Sequence, residues 1–158
     1  MANDYLPHIF VIPEDDANRQ IALAFLLELG MKSNRYKLFP PARGWSHVIE
    51  SFELDHVANM DRFSERFIIL LIDFDKDASR LEYVKSRIPS NLVDRVFILG
   101  AWSQPEELKK YFGSLDDIGA ALARDCQKER SAIWGHRLLQ NNTNELQRVQ
   151  TLVCPLIM

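Results

Sequence analysis

Two groups of carboxylates stand directly after apolar runs. Glu14-Asp15-Asp16 follows the run His8 to Ile12 and Pro13, and Asp73-Phe74-Asp75-Lys76-Asp77 follows the run Arg66 to Ile72. Carboxylates in such places can converge on Mg²⁺, a hard cation that prefers oxygen ligands and keeps several waters. One of them can also move a proton to or from a reacting group. On an extended chain residues i and i+2 point the same way, so Asp73 and Asp75 are expected to share a face. Glu14 joins them if the two apolar runs are neighbouring strands. Acidic residues also complement the positive end of a following helix, by about 0.3–1 kcal/mol each. That plainer role suits Asp15, Asp16 and Asp77 as well as ligation does.

The elements that must position these acids follow from the apolar pattern. His8 to Ile12, Arg66 to Ile72 and Asp94 to Leu99 read as buried strands, and His47 to Glu53 alternates like a half-exposed one. Between them lie helical stretches from about Ala17 to Leu29, stopped by Gly30, from Asp55 to Arg66, and from Ala78 to Arg87, closed by Pro89. Ser103-Gln104-Pro105-Glu106 and Ser114-Leu115-Asp116-Asp117 are capping-box patterns, the second opening a helix with Ile118, Ala121 and Leu122 on one face. Further helical pieces are expected near Ser131 to Leu139 and Asn144 to Val153. The fold class predicted is α/β: an open, mainly parallel sheet of four or five strands, helices on both faces, and a helical C-terminal part. One domain is expected over 1–158, a core at 8–100 with an extension at 101–158 packed on it. Such sheets bind ligands beyond the carboxyl ends of their strands, where both acidic groups fall.

Composition bounds what these residues can serve. The chain has 158 residues, 47% apolar, with 19 basic and 22 acidic residues and a net charge of −3. That apolar content excludes disorder, and two cysteines, Cys126 and Cys154, exclude a disulfide scaffold. The longest apolar runs, Ile21 to Leu27 and Phe67 to Ile72, fall well short of the ~20 residues of a membrane span. With no secretory pattern at Met1 to Pro7, a cytoplasmic protein with reduced thiols and no membrane partner is expected. The four histidines lack zinc-ligand spacing, and no glycine-rich nucleotide motif or nucleophile elbow occurs. Both thiols read as buried and inert.

Charge is unevenly spread. Residues 29–49 carry no Asp or Glu but hold Lys32, Arg35, Lys37 and Arg43, interleaved with Tyr36, Trp45 and His47. Cations for phosphate and rings for stacking are what a nucleic-acid contact needs. The same residues also suit a solvated loop paired with surface carboxylates. Lys76 and Arg80 flank the second acidic group and can neutralise a phosphate or balance the carboxylates. The apolar end Thr151 to Met158 is expected to pack as an added strand or against a second subunit, making a homodimer.

A strand ending in Glu, a helix, and a later strand ending in Asp-x-Asp together resemble the Toprim domain of topoisomerases, bacterial primases and certain nucleases. The matching stretches are Val11-Ile12-Pro13-Glu14 and Leu71-Ile72-Asp73-Phe74-Asp75-Lys76-Asp77-Ala78, within roughly residues 8–100. Where the family usually has Gly after its Glu, Asp15 stands here. The resemblance implies Mg²⁺ held by Asp73 and Asp75, with Glu14 as proton-transfer group or further ligand. It also implies phosphoryl transfer on nucleic acid, with Lys32, Arg35, Lys37, Arg43, Lys76 and Arg80 contacting phosphate. The same acids also resemble those of a response-regulator receiver, which implies phosphorylation of Asp73 beside Asp15 and Asp16. A non-catalytic binding module on this fold is the remaining alternative.

Overall fold

A computed structural model describes residues 2–128 and 132–157. Four strands form its centre: β1 (His8–Pro13), β2 (Tyr36–Leu38), β3 (Arg66–Leu71) and β4 (Val96–Leu99). All pairings are parallel and the order is β2-β1-β3-β4. Helix α1 (Asp16–Glu28) connects β1 to β2. Helix α2 (Trp45–Ser51), a π-helical turn (Phe52–His56) and α3 (Val57–Arg62) run on from one another between β2 and β3. Helix α4 (Ala78–Ser86) precedes β4. Helices α5 (Pro105–Phe112), α6 (Leu115–Gln127), α7 (Thr143–Leu152) and the single turn α8 (Cys154–Ile157) complete the chain. The expected α/β fold with a helical C-terminal part is therefore present, with four strands. Among the described residues no helix is long and apolar enough to cross a membrane.

Strand alternation divides the core. Phe10, Ile12, Ile68, Leu70, Val96 and Ile98 face one side and pack with Val48, Ile49, Phe52, Met60 and Val84 of α2 to α4. Ile9, Val11, Phe67, Ile69, Phe97 and Leu99 face the other, against Ala22 and Leu26 of α1 and Val149 of α7. Outside α1 lies a third cluster, in which Ile21 meets Leu108 of α5 and Ile118 and Leu122 of α6. Sandwiched between sheet and α6, α1 needs apolar residues nearly all round. The crossing is close: a Cβ on Gly119 would lie 2.3 Å from the Ile21 carbonyl oxygen.

The stretch expected as a strand at His47 to Glu53 is helical instead. Its buried positions Val48, Phe52, His56 and Met60 recur every four residues, and this face covers the sheet. The local alternation seen in sequence is too short to reveal that longer period. Strand β2 is only three residues long, which hid it. No helix forms over 132–139, and Ser131 lies outside the described residues. The Asp125 carboxylate accepts the N–H groups of Ile133 (2.6 Å) and Trp134 (3.4 Å), competing with helix hydrogen bonds there. Ser114 and Asp117 do form a capping box. By contrast Ser103 is not a cap: Gln104 takes that position, and Ser103 donates its hydroxyl to Glu107.

Among its described residues, 151–157, the apolar end is not an added strand, and Met158 lies outside them. Leu152 and Val153 pack on the α1 side of the sheet within the same chain, and Cys154–Ile157 forms a helical turn. Among the described residues no fifth strand pairs with β4, and side chains take its place. Glu145 Oε1 accepts the Ile98 N–H at 3.0 Å and Asn142 Oδ1 accepts the Gly100 N–H at 2.9 Å, so α7 and the turn before it close the β4 edge.

Candidate functional site at the carboxyl edge of the sheet

The strand order places the topological switch point between β1 and β3, because β2 and β4 lie on opposite sides of that pair. Pro13 is opposite Leu71, and the Glu14 N–H continues the ladder to the Leu71 carbonyl at 2.9 Å. Glu14 and Asp73 thus leave neighbouring strands side by side. Glu14 Oε2 accepts the Asp73 backbone N–H at 2.6 Å. Asp73 is buried, and its Oδ1 accepts a hydrogen bond from Asn18 Nδ2 at 3.0 Å. Asn18 is itself buried, in the first turn of α1. Asp15 caps that helix by accepting the Asn18 N–H at 2.9 Å.

Burial drives the electrostatics. It raises the Asp73 carboxyl from 3.8 to about 7, against the Asn18 hydrogen bond, and the negative charges of Asp15, Glu14 and Glu106 add to the rise. Burial also raises Glu14, opposed by the Asp73 N–H and by the Arg80 charge. Two carboxyls are therefore held close together with too little positive charge between them. An acid poised near neutrality beside a second acid is suited to proton transfer or to cation binding.

Asp75 is arranged differently from the expected i, i+2 pair. The chain turns at Asp75 and Lys76, whose φ angles are +49° and +58°, and the Asp77 N–H closes the turn on the Phe74 carbonyl at 2.9 Å. Asp75 is exposed whereas Asp73 is buried, so the extended-chain premise fails at this residue. Among the described residues no three His, Cys, Asp or Glu side chains stand close enough together to form a ready cation cage. Asp77 caps α4 through the Ser79 N–H, and Asp16 is exposed in the first turn of α1. Among the described residues, the non-glycine residues with positive φ are Arg43, Asp75 and Lys76. All three border this edge, since the Arg43 N–H bonds the Glu14 carbonyl at 2.7 Å. Left-handed backbone at non-glycine positions costs energy and gathers where structure is bent to a task.

The six basic residues divide along the strands. Arg43 and Lys76 are exposed beside the carboxylates. Arg80 donates to the Asp73 carbonyl at 2.6 Å and lies 4.6 Å from the Trp45 ring, so it braces the loop. Lys37 is mid-strand, over the Phe39 ring at 4.7 Å. Lys32 and Arg35 belong to the opposite, amino end of the sheet, where Arg35 donates to the Pro7 and Leu156 carbonyls. At about 3.3 Å of rise per residue, a six-residue strand puts that end far from the carboxylates.

The sequence pattern does not reveal Asn18 or Glu106 as part of this site, and it offers Trp45 as a stacking ring rather than as a neighbour of Arg80 and Glu14. Asn18 follows Asp15 by three residues, the cap spacing, which left its amide free to reach β3. Glu106, part of the Ser103 to Glu106 capping pattern, opens the helix after β4, and its charge is felt at Asp73. The Trp45 backbone N–H, at the start of α2, faces the Glu14 carboxylate and opposes the rise in its pKa. No family model, curated protein or solved structure matches this chain.

Proposed function

We propose that this protein is a Mg²⁺-dependent phosphoryl-transfer enzyme that acts on nucleic acid, nuclease-like in its chemistry. The observation that carries this reading is the meeting of Glu14 and Asp73 at the β1/β3 crevice, with Asp73 buried among acids. Carboxyls crowded in this way gain from a cation. Mg²⁺ suits them because it takes one or two protein carboxylates and leaves its other positions to water and substrate phosphate. Asp73 and Glu14 would hold the ion, with Asp75 reaching it or its waters from the adjoining turn. Bound there, the ion would polarise a phosphate oxygen and acidify a water.

The remaining roles belong to the chain itself. Asn18 fixes the Asp73 carboxyl, leaving its second oxygen free. Glu14, raised by burial, accepts a proton on the oxygen not committed to the Asp73 N–H. Arg43 and Lys76 supply positive charge to a phosphate backbone. The Toprim-like spacing of Glu14, Asp73 and Asp75 supports the same assignment.

Calorimetric titration with Mg²⁺ and cleavage of labelled single- and double-stranded DNA and RNA test this reading. Mg²⁺ binding and Mg²⁺-dependent cleavage are expected in the parent chain, with both lost in Asp73→Asn. Binding or cleavage unaffected by Asp73→Asn and Glu14→Gln would overturn it.

The strand order and the place of Asp73 after β3 also favour a second reading, a receiver-like phosphoacceptor. Acetyl phosphate with Mg²⁺ would then add one phosphoryl group, seen by intact mass and absent in Asp73→Asn. The commitment of Asp15 to capping α1 favours the enzyme reading.

A further inference from the structure

Cys126, near the end of α6, and Cys154, which opens α8, come from different parts of the chain yet line one cavity. This space of about 100 Å³ lies between the sheet and helices α1, α6 and α7, and its other walls include Ala22, Leu26, Val149 and Val153. Both thiols are free. Cys126 is buried and Cys154 is half-buried, and each thiol perturbs the titration of the other. Gln150 of α7 approaches Cys126 Sγ at 3.9 Å, so α6 and α7 meet there. From the other side, Arg35 donates to the Leu156 carbonyl at 2.8 Å and holds the α8 turn in place.

We propose that Cys126 and Cys154 are an oxidation site, converted by a peroxide into an intramolecular disulfide that clamps α8 to α6. Both cysteines already border one small cavity, so closing a disulfide across it needs only a local adjustment of α8. The surroundings also assign the two roles. The neighbouring Cys154 thiol favours the Cys126 thiolate and lowers its pKa, while the Cys126 sulfur and burial raise that of Cys154. Cys126 is therefore the attacking thiolate and Cys154 the resolving thiol.

The reaction balances with hydrogen peroxide as oxidant. Cys126 sulfur attacks one peroxide oxygen, the O–O bond breaks, and hydroxide leaves as water on taking the thiol proton, giving a sulfenic acid. Cys154 sulfur then attacks Cys126 sulfur, the S–O bond breaks, and a second water leaves with the Cys154 proton. Two thiols lose two electrons in total and peroxide gains them. A reducing compartment keeps the pair as thiols until peroxide rises. Because α7 lies between the two cysteines in sequence and closes the β4 edge, the clamp secures that edge as well.

The test uses the full, reduced chain treated with hydrogen peroxide and read by intact mass, thiol titration and peptide mapping. The expected result is a loss of about 2 Da, no titratable thiol, a cross-linked peptide pair and a monomeric product. The melting temperature should rise by about 5–10 °C and return on reduction. In Cys154→Ser, oxidation should stop at a sulfenic acid on Cys126 that a dimedone probe captures. A gain of about 16 or 32 Da without a cross-link in the parent chain would overturn the proposal. So would a disulfide-linked dimer, or two thiols unchanged by peroxide that oxidises free cysteine.

Discussion

Glu14 Oε2 accepts the backbone N–H of Asp73 at 2.6 Å, tying the end of β1 to the end of β3 through a carboxylate. The bond aligns two acids from separate strands, and it leaves Asp73 buried beside a second negative charge.

Stability without Mg²⁺ should therefore fall as pH rises. The folded pKa of Asp73 is raised above its unfolded value, so the folded state binds more protons between 3.8 and about 7. The stability gained at low pH is lost across that window, by about 4 kcal/mol at the extreme. Glu14 adds to it in the same direction. Urea unfolding at pH 5.5 and 8 should show this slope flattened in Asp73→Asn, and Mg²⁺ should stabilise the parent most at pH 8.

Two histidines act in the opposite sense. Burial lowers the pKa of His8, whose Nδ1 meets the Leu6 carbonyl and whose Nε2 accepts from Arg66, and lowers that of His56, packed edge-on against Phe39. Their neutral forms are favoured by folding, so their contribution is complete above pH 6.5 and lost as pH falls below it. His56→Phe should reduce the loss of stability between pH 6.5 and 5, followed by urea midpoint.

Asn18→Ala should separate positioning from ligation. Removing the amide frees the Asp73 carboxyl and takes away the hydrogen bond that opposes its raised pKa. Mg²⁺ affinity should drop about tenfold while binding persists, whereas Asp73→Asn abolishes it. Titration calorimetry at pH 8 reads the difference.

Closing the sheet edge with side chains has a measurable cost when undone. Glu145→Ala leaves the buried Ile98 N–H without its acceptor and Arg148 without its ion-pair partner. A loss of about 2–3 kcal/mol is expected by denaturant unfolding, with faster hydrogen exchange at Ile98.

The α1–α6 crossing should tolerate no side chain at Gly119. An added Cβ would lie 2.3 Å from backbone at Ile21 and 2.7 Å from the Ala24 Cβ. Gly119→Ala should cost about 1–3 kcal/mol despite its better helix propensity. A Tm equal to that of the parent would contradict the close crossing.

The sequence by itself determined the buried strands at His8 to Ile12 and Arg66 to Ile72, which the fold sets at His8–Pro13 and Arg66–Leu71, the helices that Asp15, Asp77 and Ser114 cap, and the acids at two strand ends. Apolar runs and cap residues act locally, so they are legible without knowing what lies across the sheet. The tertiary structure decided which strands adjoin, and with that the meeting of Glu14 with Asp73. It also set Asp75 apart on a left-handed turn and sent Lys32 and Arg35 to the far end of the sheet. The four-residue burial period of 48–60, the Asn18 amide on Asp73 and the Glu145 seal on β4 were hidden for one reason. Each is defined by a partner distant in sequence, and the burial that raises Asp73 towards neutrality exists only once the chain has folded around it.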